Sequence, residues 1–334
     1  MPKALITGSA GFIGFHLANR LLAEGWTVTG LDAMTDYYDV SLKQDRHKLL
    51  DAHDGFRRIE GRLEDMDTVR DALGDGQDAV IHLAAQAGVR YSIDAPETYV
   101  QSNLIGTFNL LESVRHNPTA HLLMASTSSV YGANTKMPYA ETDRTVSQMS
   151  FYAATKAANE AMAHSYAHLY DQPTTMFRFF TVYGSWGRPD MAYFKFTNKI
   201  LNDVPIEVYN QGQMRRDFTF VDDLVEALVR LIDARPVRPA DADGITPGDS
   251  LSPVAPFRVV NIGNADPVGL LEFIETLESA IGKKAIKKML PMQPGDVAAT
   301  WADTSLLHRL TGYRPATPLR QGLDSFARWY RDYY

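Results

Sequence analysis

Short apolar runs and amphipathic stretches alternate along the first half of this chain. Residues 3–7 form an apolar run, and residues 12–24 then place apolar side chains at the spacing of an α-helix. The pattern predicts strands at 3–7, 27–31, 56–60, 79–82, 121–125 and 174–178, and helices at 12–24, 65–73, 103–115 and 152–170. Strands that alternate with helices are typical of a doubly wound parallel sheet, so we predict an α/β fold.

The alternation becomes less regular after about residue 180, where the predicted elements are shorter. A helix is predicted at 221–233 and a strand at 258–262. Between them, residues 236–256 are rich in proline and lack apolar periodicity, which indicates an insertion loop. The last third of the chain therefore predicts a smaller domain over the carboxyl edge of the sheet, where open α/β sheets bind ligands.

Composition and charge exclude several classes of function. The net charge of −7 with scattered basic residues argues against nucleic-acid binding. The absence of cysteine excludes disulfides, thiolate catalysis and cysteine metal sites. The chain begins without a secretion-signal pattern, and no apolar run approaches the ~20 residues of a membrane span, so we expect a cytoplasmic protein without a membrane partner.

Two histidines, His164 and His168, stand four residues apart on a predicted helix. This spacing could hold a metal ion, but the sequence shows no third ligand beside it. We therefore interpret the pair as a solvated helix face and predict no metal site.

A glycine-rich segment, Gly8-Ser-Ala-Gly11-Phe-Ile-Gly14, follows the first predicted strand and opens the first predicted helix. Glycines there allow a tight turn and a close approach of the backbone to a pyrophosphate at the helix N-terminus. Asp32 ends the second strand, where a carboxylate accepts hydrogen bonds from an adenosine ribose and repels a 2′-phosphate. The segment therefore predicts NAD in preference to NADP, the alternative being a glycine-rich turn beside a surface aspartate.

A phenol and an ammonium group share one helix face in Tyr152-Ala-Ala-Thr-Lys156. A lysine near a tyrosine, together with a positively charged nicotinamide, is expected to lower the pKa of the phenol until it can accept a hydroxyl proton. The alternative is an ordinary amphipathic helix. The hydroxyl-rich segment Ser126–Gly132 at the end of the fifth strand favours the catalytic interpretation.

The glycine spacing, the segment His82-Leu-Ala-Ala85 and Asn103 together resemble the extended short-chain dehydrogenase/reductase family, which has a Rossmann-like fold. The resemblance covers nearly the whole chain and implies that Asn103 is structural. It implies the following NAD-binding residues: Gly8, Gly11, Phe12, Ile13, Gly14, Asp32, Lys43, Leu63, Leu83, Ala84, Ala85, Tyr152 and Lys156. One segment departs from the family: Gly61-Arg62-Leu63 replaces the usual Gly-Asp-Leu, whose aspartate contacts the adenine amino group. Arg62 cannot accept that hydrogen bond, although it could stack on the ring.

The residues after Thr127 separate the reactions of this family. The resemblance gives Thr127 the catalytic Ser/Thr position, beside Tyr152 and Lys156. Dehydratases carry an Asp-Glu pair directly after this threonine, and decarboxylases of UDP-glucuronate carry a glutamate two residues after it. This chain has Ser128 and Ser129 there. Without a carboxylic acid at these positions, oxidation followed by re-reduction is favoured, which is epimerisation.

The segment 214–223 resembles the Arg-Asp-Phe motif of nucleotide-sugar epimerases. Arg216 matches the arginine that contacts the UDP diphosphate, a task for which the planar guanidinium is suited. Asp222 or Asp223 could instead cap the helix at 221–233, and both roles are compatible. Pro294-Gly295-Asp296 resembles the later uridine-binding turn, which implies that Asp296 binds substrate. Gln293 stands where the family often has arginine.

Three stretches, 31–40, 85–92 and 182–191, resemble UDP-glucuronate 4-epimerases more than UDP-galactose 4-epimerases. Arg188 follows the strand that leads into the expected substrate pocket and is a candidate to bind the C6 carboxylate. Thr181, Ser128 and Ser129 are its candidate partners, and Arg90 is a weaker candidate for the same carboxylate. Either arginine could instead pair with a surface acid.

The sequence therefore predicts NAD-dependent C4 epimerisation of UDP-glucuronate to UDP-galacturonate. The open alternatives are a UDP-glucuronate decarboxylase, a 4-epimerase of another UDP-sugar, and a regulator that senses NAD without chemistry. The predicted NAD-binding domain is 1–180, with segments returning at about 218–235 and 257–263. The predicted UDP-sugar-binding domain comprises 181–217 and 264–334. The resemblance also implies a homodimer formed by helices near 93–115 and 150–170.

Overall fold

The computed structural model describes residues 1–292 and 297–334. It confirms the predicted α/β class. The strands are β1 (Lys3–Thr7), β2 (Thr27–Asp32), β3 (Phe56–Glu60), β4 (Ala79–His82), β5 (His121–Thr127), β6 (Thr174–Phe179), β7 (Thr181–Tyr183), β8 (Ile206–Val208), β9 (Arg215–Phe220), β10 (Phe257–Ile262), β11 (Pro267–Gly269), β12 (Lys287–Met289) and β13 (Ala299–Thr300).

The α-helices flank these strands. They are α1 (Phe12–Ala23), α2 (Val40–Leu50), α3 (Met66–Leu73), α4 (Tyr91–Asp94), α5 (Pro96–Tyr99), α6 (Gly106–His116), α7 (Phe151–Tyr170), α8 (Ala192–Leu201), α9 (Val221–Asp233), α10 (Leu270–Ile281), α11 (Ser305–Thr311) and α12 (Leu319–Tyr333). No helix among the described residues is both long enough and apolar enough to cross a membrane.

A seven-stranded parallel sheet in the order β10-β6-β5-β4-β1-β2-β3 forms the centre of the molecule. Every residue of β4 and β5 is buried, as expected for strands that helices cover on both faces. The strand order reverses between β1 and β4. A crevice at the carboxyl ends of the strands opens at such a switch point, and the glycine-rich turn and the loop after β4 both reach it.

The smaller sheets lie where the chain leaves the large sheet. Only Phe180 separates β6 from β7, which pairs with β9, and β9 also pairs with β11 and β13. A two-stranded sheet joins β8 to β12. The chain therefore passes directly from the carboxyl edge of the large sheet into the second set of strands. The domain boundaries given above stay a prediction.

The helix predicted at 103–115 differs from the structure in its first part. A π-helical segment, Val100–Ile105, precedes α6, and the region before it is divided between α4 and α5. Pro96 explains the division, because the residue before a proline is displaced from helical geometry, and Ala95 has φ −138°. Wide turns of this kind are frequent at functional sites, and the segment carries Asn103.

The proline-rich insertion is a loop, as predicted, with a short 3₁₀ turn at Ala242–Gly244. Its contacts change the interpretation of the two histidines only in part: His168 is exposed and His164 is half-buried, but both side chains also bond the loop. His164 Nε2 lies 2.8 Å from Ser252 Oγ, and His168 Nδ1 lies 2.7 Å from the carbonyl oxygen of Val254. The pair therefore fastens the loop to α7.

Candidate active site

The predicted cofactor residues line one cleft at the carboxyl edge of the large sheet. They are Gly8, Gly11, Phe12, Ile13, Gly14, Asp32, Lys43, Leu63, Leu83, Ala84, Ala85, Tyr152 and Lys156. Arg62, Thr127 and Arg188 line the same cleft. Residues that are distant in sequence therefore meet at the switch point of the sheet.

The turn after β1 is shaped by its glycines. Gly8 has φ +78°, which favours glycine, and a Cβ at Gly14 would lie 2.1 Å from the carbonyl oxygen of Gly8. Gly11 precedes α1 and contributes no side-chain cap. The first N–H groups of α1 are therefore available to an anion in the cleft, which fits the pyrophosphate of a dinucleotide.

Asp32 is buried at the end of β2 and held by two backbone donors. Its Oδ2 accepts a hydrogen bond from Ala10 N at 3.0 Å, and its Oδ1 accepts one from Met34 N at 2.9 Å. A carboxylate has about four acceptor positions, so this one can still accept ribose hydroxyls. Nearby, Lys43 Nζ donates to the carbonyl oxygen and the Oγ1 of Thr35 at 2.6 and 3.0 Å.

The loop after β4 is fixed by a buried hydroxyl. Thr7 Oγ1 accepts hydrogen bonds from Leu83 N at 3.2 Å and Ala84 N at 3.1 Å, and it lies 2.8 Å from His82 Nδ1. Burial, together with Lys156, lowers the pKa of His82 to about 3, so the ring is neutral. This arrangement holds the backbone of 83–85 against the cleft.

Asn103 connects that loop to α7. Its Oδ1 accepts a hydrogen bond from Gln86 N at 2.8 Å, and its Nδ2 donates to Thr155 Oγ1 at 3.0 Å. Asn159 Nδ2 donates in turn to the Asn103 carbonyl oxygen at 2.8 Å. These bonds agree with the structural role that the resemblance implied for this asparagine.

Thr127, Tyr152 and Lys156 meet where β5 ends beside the first turns of α7. Lys156 Nζ donates to the carbonyl oxygen of Ala125 at 2.9 Å. Thr127 Oγ1 accepts from Ser129 N at 3.2 Å and donates to Ser129 Oγ at the same distance. A hydroxyl, a phenol and an ammonium group therefore share one wall of the cleft.

Burial has the largest effect on the pKa values of Lys156 and Tyr152. It lowers the pKa of Lys156 to about 8, with Glu160 opposing the change. Burial also raises the pKa of Tyr152 above its ordinary value, while the Arg188 cation and a hydrogen bond with Thr127 oppose the rise. The chain's own residues therefore do not produce the lowered phenol pKa that we predicted, because burial disfavours the phenolate more than neighbouring groups favour it.

Arg188 lines the same cleft and forms a bidentate ion pair with Asp190. Its Nε and Nη2 lie 3.0 and 2.6 Å from the two carboxylate oxygens of Asp190. Burial disfavours both charges, but each partner favours the ionised form of the other: the pKa of Arg188 is raised and that of Asp190 is lowered. Tyr37 OH also donates to Asp190 at 3.3 Å. Arg188 keeps further N–H donors for a ligand.

The other predicted substrate-binding residues do not line the cleft or lie outside the described residues. Ser128 and Ser129 begin the 3₁₀ turn after β5, and Thr181 stands between the cleft-lining residues Phe180 and Val182. Arg216 Nη2 donates to the carbonyl oxygen of Val297 at 2.7 Å, and the Arg90 guanidinium lies 5.1 Å from the ring centre of Tyr209. Within the described residues, these five do not line the cleft. Asp296, with Gln293–Gly295, lies outside the described residues.

Arg46 was missed by the sequence analysis, although it joins two walls of the cleft. It is fully buried on α2. Its Nη1 donates to the carbonyl oxygen of Ala10 at 2.7 Å, and its Nη2 donates to those of Trp186 and Gly187 at 2.6 and 3.2 Å. The glycine turn and the segment that carries Arg188 are therefore held by one side chain.

A buried ion pair behind Lys156 was also missed. Arg178 Nε and Nη2 lie 2.9 and 2.7 Å from the carboxylate oxygens of Glu160, which follows Lys156 by one helical turn on α7. Ser126 Oγ donates to the same carboxylate.

Among the described residues, no cluster of three or more histidine, aspartate or glutamate side chains could hold a metal ion.

Comparisons with known proteins agree with this geometry. Residues 4–241 match the model of the NAD dependent epimerase/dehydratase family. The chain is 53% identical to a probable UDP-glucuronate 4-epimerase of Rhizobium meliloti, over 99% of this chain and 98% of that protein. It is 44% identical to UDP-glucuronate 4-epimerase 4 of Arabidopsis thaliana, over 99% of this chain and 75% of that protein. The chain also superposes on a crystal structure of UDP-glucuronic acid 4-epimerase from Bacillus cereus in complex with UDP-glucuronic acid and NAD. The TM-score is 0.88 and the sequence identity is 32%, over 99% of this chain and 100% of that chain.

Proposed function

This chain belongs to the NAD dependent epimerase/dehydratase family, and we propose that it interconverts UDP-glucuronate and UDP-galacturonate by epimerisation at C4. The observation that carries the proposal is one cleft lined by the glycine turn, the Tyr152–Lys156 pair and Arg188. The similarity to a probable UDP-glucuronate 4-epimerase and to a UDP-glucuronic acid 4-epimerase of known structure supports UDP-glucuronate as the sugar nucleotide. Ser128 and Ser129 favour epimerisation, because no carboxylic acid follows Thr127.

Three parts of the cleft suit three parts of NAD. The open N-terminus of α1 suits the pyrophosphate, Asp32 suits the adenosine ribose, and the fixed backbone of 83–85 suits the nicotinamide ribose. Bound NAD would supply a hydride acceptor and donor for C4 of the sugar and would add positive charge near the phenol. That charge favours the phenolate, which burial alone disfavours.

Tyr152 is the general base in this proposal. It removes the proton of the C4 hydroxyl while Thr127 holds that hydroxyl by a hydrogen bond, and it later gives the proton back. The Arg188 cation favours the phenolate, and Lys156 is proposed to add to that effect. The transient 4-keto sugar must turn before it is reduced on its other face. Arg216 holds the diphosphate about which it turns, and Asp296 contributes to the uridine site.

The C6 carboxylate requires a firm clamp. A 4-keto uronate is a β-keto acid and loses carbon dioxide when its C–C bond aligns with the carbonyl π system. Arg188, which lines the cleft, binds the carboxylate. Its proposed partners are the hydroxyls of Thr181, Ser128 and Ser129, which lie within two positions of cleft-lining residues along the chain, and Arg90 is a weaker alternative. The pair with Asp190 fixes the guanidinium before substrate arrives, so little side-chain freedom is lost on binding.

A test of the activity uses the purified protein, UDP-glucuronate and no added NAD, followed by chromatography of the nucleotide sugars. UDP-galacturonate without UDP-xylose is the expected product, and its formation shows that the protein retains NAD. Formation of UDP-xylose with carbon dioxide would make the protein a decarboxylase. If no product forms even with NAD supplied, the substrate is another UDP-sugar or the protein binds NAD without chemistry.

We also propose that the protein is a cytoplasmic homodimer. Apolar side chains on the helical regions predicted to form the interface are exposed, among them Ile105 at 41%, Phe108 at 44% and Leu169 at 65%. Ile105 and Phe108 are three residues apart and so face the same side of the helical run. Exposed apolar groups of this kind mark interfaces when they are contiguous.

Phe108→Glu is expected to disrupt the dimer, because it places a charge in a surface that must lose water on association. Light scattering should give about twice the chain mass of 37.2 kDa for the natural protein and about that mass for the variant. Val237→Glu is a matched control, since Val237 is 74% exposed on the insertion loop. A monomeric natural protein would refute the proposed dimer.

A further inference from the structure

The loop after β3 lines the cleft beside Asp32, and Gly61 N donates to the Asp32 carbonyl oxygen at 3.0 Å. Strands β2 and β3 pair in register, with Asp32 opposite Glu60, so their carboxyl ends lie side by side. Gly61, Arg62, Leu63 and Glu64 follow directly and line the cleft. Residues of this loop would therefore lie beside the base of an adenosine whose ribose is bound by Asp32.

Arg62 leaves one requirement of an adenine site unmet. The exocyclic amino group of adenine donates hydrogen bonds, and a protein that recognises it needs an acceptor. A guanidinium has five donors and no acceptor, so Arg62 can stack on the base or donate to a ring nitrogen but cannot receive the amino group. The aspartate that the family usually carries at this position is absent from the sequence.

Glu64 places a carboxylate in the same part of the cleft. Ser102, which also lines the cleft, donates from its Oγ to Glu64 Oε1 at 3.1 Å. The backbone beneath it is fixed, because Asn109 Nδ2 donates to the carbonyl oxygens of both Leu63 and Glu64 at 2.9 Å. Ser102 uses one of about four acceptor positions, so the carboxylate has room for a second donor.

We propose that Glu64, oriented by Ser102, accepts the hydrogen bond of the adenine amino group and so takes over the task of the absent aspartate. Arg62 then covers the face of the base. The inference rests on NAD as the cofactor of the proposed function. It does not depend on which sugar the enzyme accepts, because Glu64 and Arg62 are not among the residues proposed to bind the sugar.

Nicotinamide hypoxanthine dinucleotide is the probe of this contact, because a carbonyl oxygen replaces the amino group of adenine. Ring nitrogen N1 changes from an acceptor to an N–H donor at the same time, so the contribution of Glu64 is the difference in preference between the natural protein and Glu64→Gln. The holoenzyme is incubated with a large excess of NAD and the hypoxanthine analogue in equal amounts until the bound fractions of the two nucleotides no longer change, so that the NAD retained from purification has exchanged. Free nucleotide is then removed, and the bound nucleotides are released and quantified by chromatography. We expect the natural protein to prefer NAD by roughly tenfold or more, the ratio that a hydrogen bond to a charged group provides.

Glu64→Gln is expected to reduce that preference to within about threefold, because an amide can accept from the amino group of adenine and donate to the carbonyl of hypoxanthine. Glu60→Gln is the matched control: Glu60 is exposed at the end of β3, and its variant should keep the natural preference. Arg62→Ala should alter the binding of both nucleotides to a similar extent.

An unchanged preference in Glu64→Gln would overturn the assignment, and so would a natural protein that binds the two nucleotides equally. Should Glu64→Gln fail to fold, Ser102→Ala tests the same contact by removing the group that orients the carboxylate, and it should give a smaller loss of preference. Failure of the proposed function is distinguishable: a protein that prefers NAD but does not convert UDP-glucuronate leaves the role of Glu64 intact.

Discussion

Tyr152→Phe is expected to lower kcat for the conversion of UDP-glucuronate roughly 10²- to 10⁴-fold, the range that a positioned general acid–base group contributes. The variant removes one hydroxyl and keeps the aromatic ring, which packs edge-on against Tyr99 at 6.0 Å between ring centres. The cleft should therefore keep its shape while it loses the group that exchanges a proton with C4. The measurement is the initial rate of UDP-galacturonate formation.

Two further measurements separate lost chemistry from lost binding. The amount of NAD that co-purifies and the affinity for UDP-glucuronate should both stay close to those of the natural protein. Tyr170→Phe makes the same chemical change at the far end of α7, where the side chain is 41% exposed, and should leave kcat unchanged. If Tyr152→Phe retained more than about a tenth of the natural rate, another group would be the base.

The central sheet could be predicted because its strands are buried on both faces. Such strands appear in a sequence as short apolar runs between polar turns. The predicted strands at 56–60 and 79–82 and the helix at 221–233 have the bounds seen in the structure, and the predicted 121–125 falls two residues short of the end of β5. Those two residues include Thr127, where the apolar run gives way to hydroxyl groups.

Helix α2 could not be predicted from apolar periodicity because much of its buried face is polar. Lys43, Arg46 and His47 are buried together with Leu42 and Leu50. The partners of Arg46 are backbone carbonyl oxygens of the glycine turn and of residues 186–187, which approach α2 only in the folded chain. A pattern that counts only apolar residues as internal therefore treats this helix as surface.

The residues of the site also differ in how far the sequence predicts them. Motifs that act through the local backbone, such as the glycine turn and the Tyr152–Lys156 spacing, are contained in a few neighbouring residues and could be identified from the sequence. The phenol's pKa could not, since it depends on burial in the assembled cleft. The position of Arg188 was predicted as well, but the orientation of its guanidinium depends on a turn in which Trp186 has φ +56°.

Arg188→Met is expected to lower kcat/KM for UDP-glucuronate by roughly 30-fold or more, since loss of one partner from a buried charge pair typically costs about 2–5 kcal/mol. Methionine keeps most of the volume and removes the donors that face the C6 carboxylate. UDP-glucose has no carboxylate, so its inhibition constant should change little. The sugar that still reacts should release more carbon dioxide, because its C–C bond is no longer held away from alignment with the 4-keto group.

The variant also leaves the Asp190 carboxylate without its cation, which by itself destabilises the protein. The double variant Arg188→Met with Asp190→Asn removes both charges and should recover stability without recovering the affinity for UDP-glucuronate. Asp190→Asn alone keeps the cation and should bind UDP-glucuronate better than either variant that lacks the arginine. If the double variant bound UDP-glucuronate as tightly as the natural protein, the carboxylate would be bound by the hydroxyls of Thr181, Ser128 and Ser129 without Arg188.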